Sequence, residues 1–149
     1  MITVLNCYRN KIVSKLIRLA TRSKYSHTAF KFDLYGTAFV IESQKKGVYL
    51  IPFKDWKTKY KYKFDSIVLH EANQTKTKAK ALSYCGHTNY DFFSLNIAHP
   101  IKILTGVWIG KKGYRALDKM TCSEYVATVL DLPNAHDMTP DELSKILKY

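Results

Sequence analysis

The stretch "YSHTAFKFDLYGTAFVIESQKKGVYLIPF", residues 25–53, decides how the rest of the chain is read. Three runs rich in β-branched and aromatic residues are separated by "DLYG" and "QKKG", two glycine-containing turn signals. The pattern predicts strands near 26–32, 37–43 and 47–53. If "DLYG" is the whole loop, His27 faces Glu42 directly across the first hairpin. A two-residue loop shifts the pairing by two and leaves them diagonal but on the same face. A three- or five-residue loop would part them. Glu42 stands among Phe39, Val40 and Ile41, an unusual setting for a carboxylate.

Outward from the hairpin, "ITVLNCY" (2–8) reads as a short strand and "DSIVLHEA" (65–72) as another. "NKIVSKLIRLATRS" (10–23) has helical spacing, with Ile12, Val13, Leu16, Ile17 and Ala20 on one face and Lys and Arg on the other. Its apolar face is expected to pack on its own domain, although a basic amphipathic helix also suits a membrane surface. "TKTKAKALSYCG" (75–86) predicts a helix with Gly86 as its C-cap. "KDWKTKYKYKF" (54–64) reads as an exposed loop beside a strand; its interleaved lysines and aromatics would otherwise suit single-stranded nucleic acid or polysaccharide. "YDFFSLNIAHPIKILTGVWIG" (90–110) is apolar and reads as core, with a lid or lipid-facing surface as the alternative. Two helices close the chain, at 121–132 and 139–149. Each opens with a capping box, and Pro140 takes the first helical position of the second. One strand, one helix, a run of strands and then helices make an α+β layout, an antiparallel sheet with helices packed on it.

The chain of 149 residues, 46% of them hydrophobic, is the size of a single domain, taken as 1–149, with one core. Its net charge of +12 attracts polyanions: an anionic wall polymer, a membrane surface or nucleic acid. Lysine outnumbers arginine 20 to 4, which counts against sequence-specific base reading. Three scattered cysteines form no disulfide framework and suit a reducing compartment. The N-terminal apolar run precedes charge, the wrong order for a signal peptide. No run reaches the roughly 18 apolar residues of a membrane span. The expectation is a protein that is cytoplasmic at synthesis; its small size and lysine-rich composition suit a phage or other mobile element.

Chemistry concentrates in "DKMTCSEYVATVLDLP" (118–133). With Thr121 as N-cap, Cys122 is the first residue of a helix, where free backbone N–H groups and the helix dipole favour thiolate. The same N–H groups can receive a developing oxyanion. A small buried residue following a cap is the plain alternative. Among the five histidines, His27 is the candidate base because a strand holds it and Glu42 can orient it. Cys85 and His87 in "YCGHTNY" lack the further ligands that a metal site needs, so no metal is expected.

"YSHTAF", "VIES", "GVYLIPFKDW" and "MTCSEYV", in that order, resemble the circularly permuted papain-like cysteine hydrolases. These are the YiiX/YaeF-like branch of the NlpC superfamily, related to lecithin:retinol acyltransferases. "YDFFSL" from Tyr90 and "TPDEL" at 139–143 resemble the family's later segments. The family's first strand often opens with Gly-Asp, which this chain lacks, and Lys31 and Phe32 stand where small apolar residues are usual. The resemblance implies a thiol hydrolase in which Cys122 is the nucleophile, His27 the base and then acid, and Glu42 the orienter. Tyr90 and Tyr25 would line the substrate site. No organic cofactor is implied. The substrate would be an amide, in a cell-wall peptide or a fatty amide, or an ester. The alternatives are lipid acyl transfer or thioester hydrolysis on the same residues, and a basic binding module without catalysis.

Overall fold

The computed structural model describes residues 1–69, 74–86, 88–90, 104–105 and 119–148. Its centre is a five-stranded antiparallel sheet in the order β4-β3-β2-β1-β5. The strands are β1 (Ile2–Tyr8), β2 (His27–Leu34), β3 (Thr37–Gln44), β4 (Gly47–Pro52) and β5 (Lys63–Leu69). The fold is thus α+β, and the hairpins fall where the turn signals put them.

The β2–β3 loop consists of Tyr35 and Gly36 alone, since Leu34 pairs with Thr37. Both loop residues have positive φ, 49° and 80°. That is the backbone of the tight two-residue hairpin turn whose twist matches its strands, and glycine takes its second position without strain. Pairing runs on to Phe30 opposite Ile41. Continued along the strands, this register puts Ala29 opposite Glu42 and His27 diagonal to Glu42 on the same face. The two-residue alternative therefore holds.

Both faces of the sheet are covered. Ile2, Val4, Phe30, Phe32 and Ile41 alternate onto one face. There they meet Tyr125 and Val126 of α4 (Cys122–Val129), Leu143 of α5 (Pro140–Ile146) and Ala81 of α3 (Gln74–Ser83). Leu5, Cys7, Ala29 and Val40 point to the other face, against Trp56 of α2 (Phe53–Tyr60). Two short strands, β6 (Asn89–Tyr90) and β7 (Lys119–Met120), pair in parallel and lead directly into α4. Val48 ties β6 to the main sheet, donating to the Thr88 carbonyl and accepting from Gly86 N–H.

Two sequence expectations are overturned. The 54–64 segment is no exposed loop: it forms α2 and the start of β5, and Trp56 is wholly buried. Phe53, Trp56 and Tyr60 recur at helical spacing directly after Pro52, so their stripe closes on the sheet. The first helix, α1 (Ile12–Ala20), is inverted relative to its pattern. It buries Ser14, whose hydroxyl meets Ser26 Oγ at 2.6 Å and accepts from Arg9 N–H, while Arg18 lies over the Tyr8 ring. Ile12, Val13, Leu16 and Leu19 point to solvent. The polar side of α1 is the one that finds partners on the body of the protein. The 90–110 reading lies outside the described residues except at Tyr90 and 104–105. Among the described residues no helix is long and apolar enough to cross a membrane.

Candidate active site

Three elements converge at the start of β2. His27 opens that strand and is buried beside Cys7, its partner on β1. Glu42 lies two residues from the end of β3 and is fully enclosed. His27 Nε2 donates to Glu42 Oε2 at 2.6 Å. The other ring nitrogen is left for Cys122, with which the imidazole shares a hydrogen bond.

Cys122 arrives on α4 from the opposite side of the sheet, and local chemistry fixes where that helix starts. Thr121 Oγ1 accepts from Glu124 N–H, and Glu124 Oε2 accepts from Thr121 N–H at 3.1 Å, so the capping box is complete. Ser43 Oγ donates to the Met120 carbonyl at 2.9 Å, fastening the residues before the cap to β3. Ser123 Oγ donates to the Met138 carbonyl at 2.6 Å. Thr121→Ala is expected to lower stability by about 1 kcal/mol; a chemical-denaturation midpoint unchanged from wild type would mean the cap is redundant.

The electrostatics follow from this packing. Burial raises the Cys122 thiol. The charge and hydrogen bond of His27, with backbone N–H groups of Thr28 and Ser123, outweigh it and hold the thiol below its ordinary range. Burial disfavours charged His27, yet Tyr62, Cys122 and Glu42 around it lift the imidazole well above its usual value. Burial likewise works against ionised Glu42, but His27, Trp56 and Gln44 hold the carboxyl below the usual carboxylate range. The other two thiols behave in the opposite way: burial pushes both Cys7 and Cys85 up.

Glu42 is the most heavily partnered group in the site. Besides His27, it accepts from Trp56 Nε1 at 2.9 Å, Gln44 Nε2 at 2.8 Å and Tyr49 OH at 3.1 Å. Tyr49 OH in turn meets Tyr60 OH. Tyr62 stacks on the His27 ring, with centroids 5.3 Å apart and planes at 17°, and the Arg9 guanidinium lies over the Tyr62 ring, 4.8 Å from its centroid.

With sheet order and helix placement in view, the chain can be set beside solved structures. It matches the crystal structure of the metalloprotein YiiX from Escherichia coli O157:H7, of the DUF1105 group, with a TM-score of 0.58 and 26% identity. The fold is YiiX-like. The match covers 91% of this chain and 66% of YiiX, so the chain spans just under two thirds of that protein's length. No protein-family model and no curated protein matches the sequence.

Of the residues singled out from the sequence, the YiiX-like frame brings Cys122, His27 and Glu42 together. Tyr25 is turned elsewhere: its hydroxyl donates to Asp65 Oδ2 at 2.6 Å, and Lys24 Nζ holds the same oxygen at 2.7 Å. Tyr90 pairs with Met120 through the β6–β7 backbone, two residues before Cys122. His70, His87 and His99 lie outside the described residues, and His136 is in a short 3₁₀ turn, Ala135–Asp137. Sequence reading missed Gln44, Tyr49, Trp56 and Tyr62. Two of them carried a signal: Gln44 follows Glu42 at the same-face spacing of a strand, and Tyr49 is its cross-strand partner.

Proposed function

We propose that the chain is a cysteine-dependent hydrolase of amide bonds, built as one permuted papain-like domain of the NlpC type. The observation that carries this reading is the line of contacts from Glu42 through His27 to Cys122, with thiol and imidazole shifted in opposite directions. Those shifts favour a thiolate–imidazolium pair at neutral pH.

In the proposed reaction Cys122 Sγ attacks the substrate carbonyl, and its electron pair moves onto the oxygen. The Cys122 backbone N–H, at the start of α4, is one donor to that oxyanion. His27 gives its proton to the leaving nitrogen as the C–N bond breaks, leaving a thioester. Water then attacks, His27 takes its proton, and the Cys122 thiolate leaves. Glu42 fixes the ring and stabilises its charged form throughout. Passing the acyl group to another acceptor instead of water would use the same steps.

YiiX is described as a metalloprotein, and this centre is where a metal would be sought here. The donors do not fit one. Both Glu42 oxygens are saturated by four hydrogen bonds, and both His27 nitrogens are engaged by Glu42 and Cys122. Among the described residues no group of three or more His, Cys, Asp or Glu side chains could hold a metal. No step of the proposed reaction runs through a metal.

The test is site-resolved alkylation with iodoacetamide across a range of pH. A lowered thiol stays ionised until the pH falls below its own pKa, so Cys122 should remain reactive on the acid side, where ordinary thiols are silent. Cys85 should gain reactivity only on the alkaline side, and Cys7 should stay unreactive. Turnover should fall at low pH as Cys122 protonates and at high pH as His27 loses its proton. Both limits are displaced outward, the first below the ordinary thiol range and the second above the ordinary imidazole range. Equal, alkaline-only labelling of Cys122 and Cys85 would sink the proposal.

A further inference from the structure

The apolar ridge of α1 points away from the sheet, and its surroundings say what could cover it. Ile12, Leu16 and Leu19 follow one another at helical spacing with Val13 beside them, and they are 76%, 58%, 77% and 63% exposed in that order. Four large aliphatic side chains standing together on one helix are an interaction surface, not the scattered exposure of a soluble face. The helix is not displaced from the domain to give this arrangement. Its buried side is tied down by Ser14 to Ser26 and by Arg18 over Tyr8.

The charge around the ridge has one sign. From Met1 to Phe32 the chain has no acidic residue; the first is Asp33. Lys11, Lys15 and Arg22 are exposed along α1 and just past it. Lys24 is partly spent on Asp65. An open cleft of about 300 Å³ beside the ridge is lined by Lys15, Arg18, Leu19 and Ser23, placing two cations next to an aliphatic side chain.

We propose that α1 docks this protein on an anionic lipid bilayer. The aliphatic ridge enters the boundary between headgroups and acyl chains, and the flanking lysines and arginines meet the headgroup phosphates. Nucleic acid supplies the negative charge but no apolar layer for Ile12, Val13, Leu16 and Leu19. A second copy supplies an apolar face, but two such faces would bring like charges together. A bilayer satisfies both halves of the surface. This inference is independent of the proposed catalysis. It is linked to it in space, because Ser26, the α1 anchor, immediately precedes His27.

The test is co-sedimentation with vesicles of phosphatidylcholine, with and without phosphatidylserine. The protein should bind the phosphatidylserine vesicles, should bind pure phosphatidylcholine weakly, and should be released by salt. The I12S/L16S/L19S variant should lose at least about tenfold in affinity for the anionic vesicles while keeping its circular dichroism spectrum, because the replaced side chains are exposed. Lys15→Ala with Arg22→Ala should weaken binding to the same vesicles. Absence of wild-type binding, or full binding by the serine variant, would overturn the proposal. So would sedimentation of the free protein as a dimer that the serine variant dissociates, or tighter binding to duplex DNA that the serine variant retains. Strong hydrogen-exchange protection of α1 in the lipid-free monomer, lost in the serine variant, would overturn it too, since the ridge would then be covered by the chain's own residues.

Discussion

If Cys122 is the nucleophile proposed above, Cys122→Ala is expected to reduce turnover of an amide substrate by about 10⁴-fold or more, because removal of that nucleophile would leave only binding and oxyanion stabilisation. The fold should survive. The start of α4 is set by the Thr121–Glu124 capping box, and it is anchored by the hydroxyls of Ser43 and Ser123, whose bonds to the Met120 and Met138 carbonyls do not involve the thiol. The measurement is single-turnover acyl-enzyme formation followed by mass spectrometry, with unfolding of both proteins compared in parallel. Wild type should carry the acyl group on Cys122 and the variant should carry none. A variant that turns over substrate within about tenfold of wild type, with its fold intact, would place the nucleophile elsewhere.

Glu42→Ala is expected to cost about 3–5 kcal/mol of stability, the usual consequence of removing one partner from a buried charged pair. The loss goes beyond the pair. His27 Nε2, Trp56 Nε1, Gln44 Nε2 and Tyr49 OH would all lose their common acceptor in an enclosed site. For a chain of this size each kcal/mol moves the melting temperature by about 2–4 °C, so thermal unfolding should shift by about 6–20 °C. Glu42→Gln should fall between the two, since one amide oxygen can serve only some of the four donors and its NH₂ opposes the rest. The pH dependence separates charge from packing. Glu42 has a lower pKa folded than unfolded, so its stabilisation is complete above the ordinary carboxylate range and is lost as pH falls through the lowered folded value. Wild type should lose stability over that acid interval, and Glu42→Gln should lack this contribution. Parallel acid-unfolding curves for the two proteins would show that the carboxylate charge is not what the site uses.

Much of the frame was legible because it is local. "DLYG" and "QKKG" announced the hairpins, and alternation along β2 and β3 put His27 and Glu42 on one face once the loop had two residues. The capping boxes at Thr121 and Thr139 were readable letter by letter, since each partner lies three residues away. The shell around Glu42 was less accessible. Tyr49 follows from strand register, whereas Trp56 reaches the carboxylate only because α2 folds back over the sheet, a contact no periodicity specifies. The orientation of α1 is not legible in the sequence for a related reason. Its hydrophobic pattern says which side is apolar, but not which side has partners. Ser14 meeting Ser26 turned the polar side inward.

The sequence by itself determined the five strands of the main sheet, the capping boxes, the placement of a thiol at a helix start and the strongly basic character of the first 32 residues. These depend on spacing, turn chemistry and composition, which act over a few residues or over the whole chain at once. The tertiary structure decided that Cys122, on a helix packed against one face of the sheet, meets His27 from the other face at the strand's open end. It also decided that Glu42 is enclosed by donors from four elements, and that the aliphatic ridge of α1 faces outward. Each of these is a meeting of groups far apart in the chain, and such meetings are set by packing and by the satisfaction of buried polar atoms rather than by local preference.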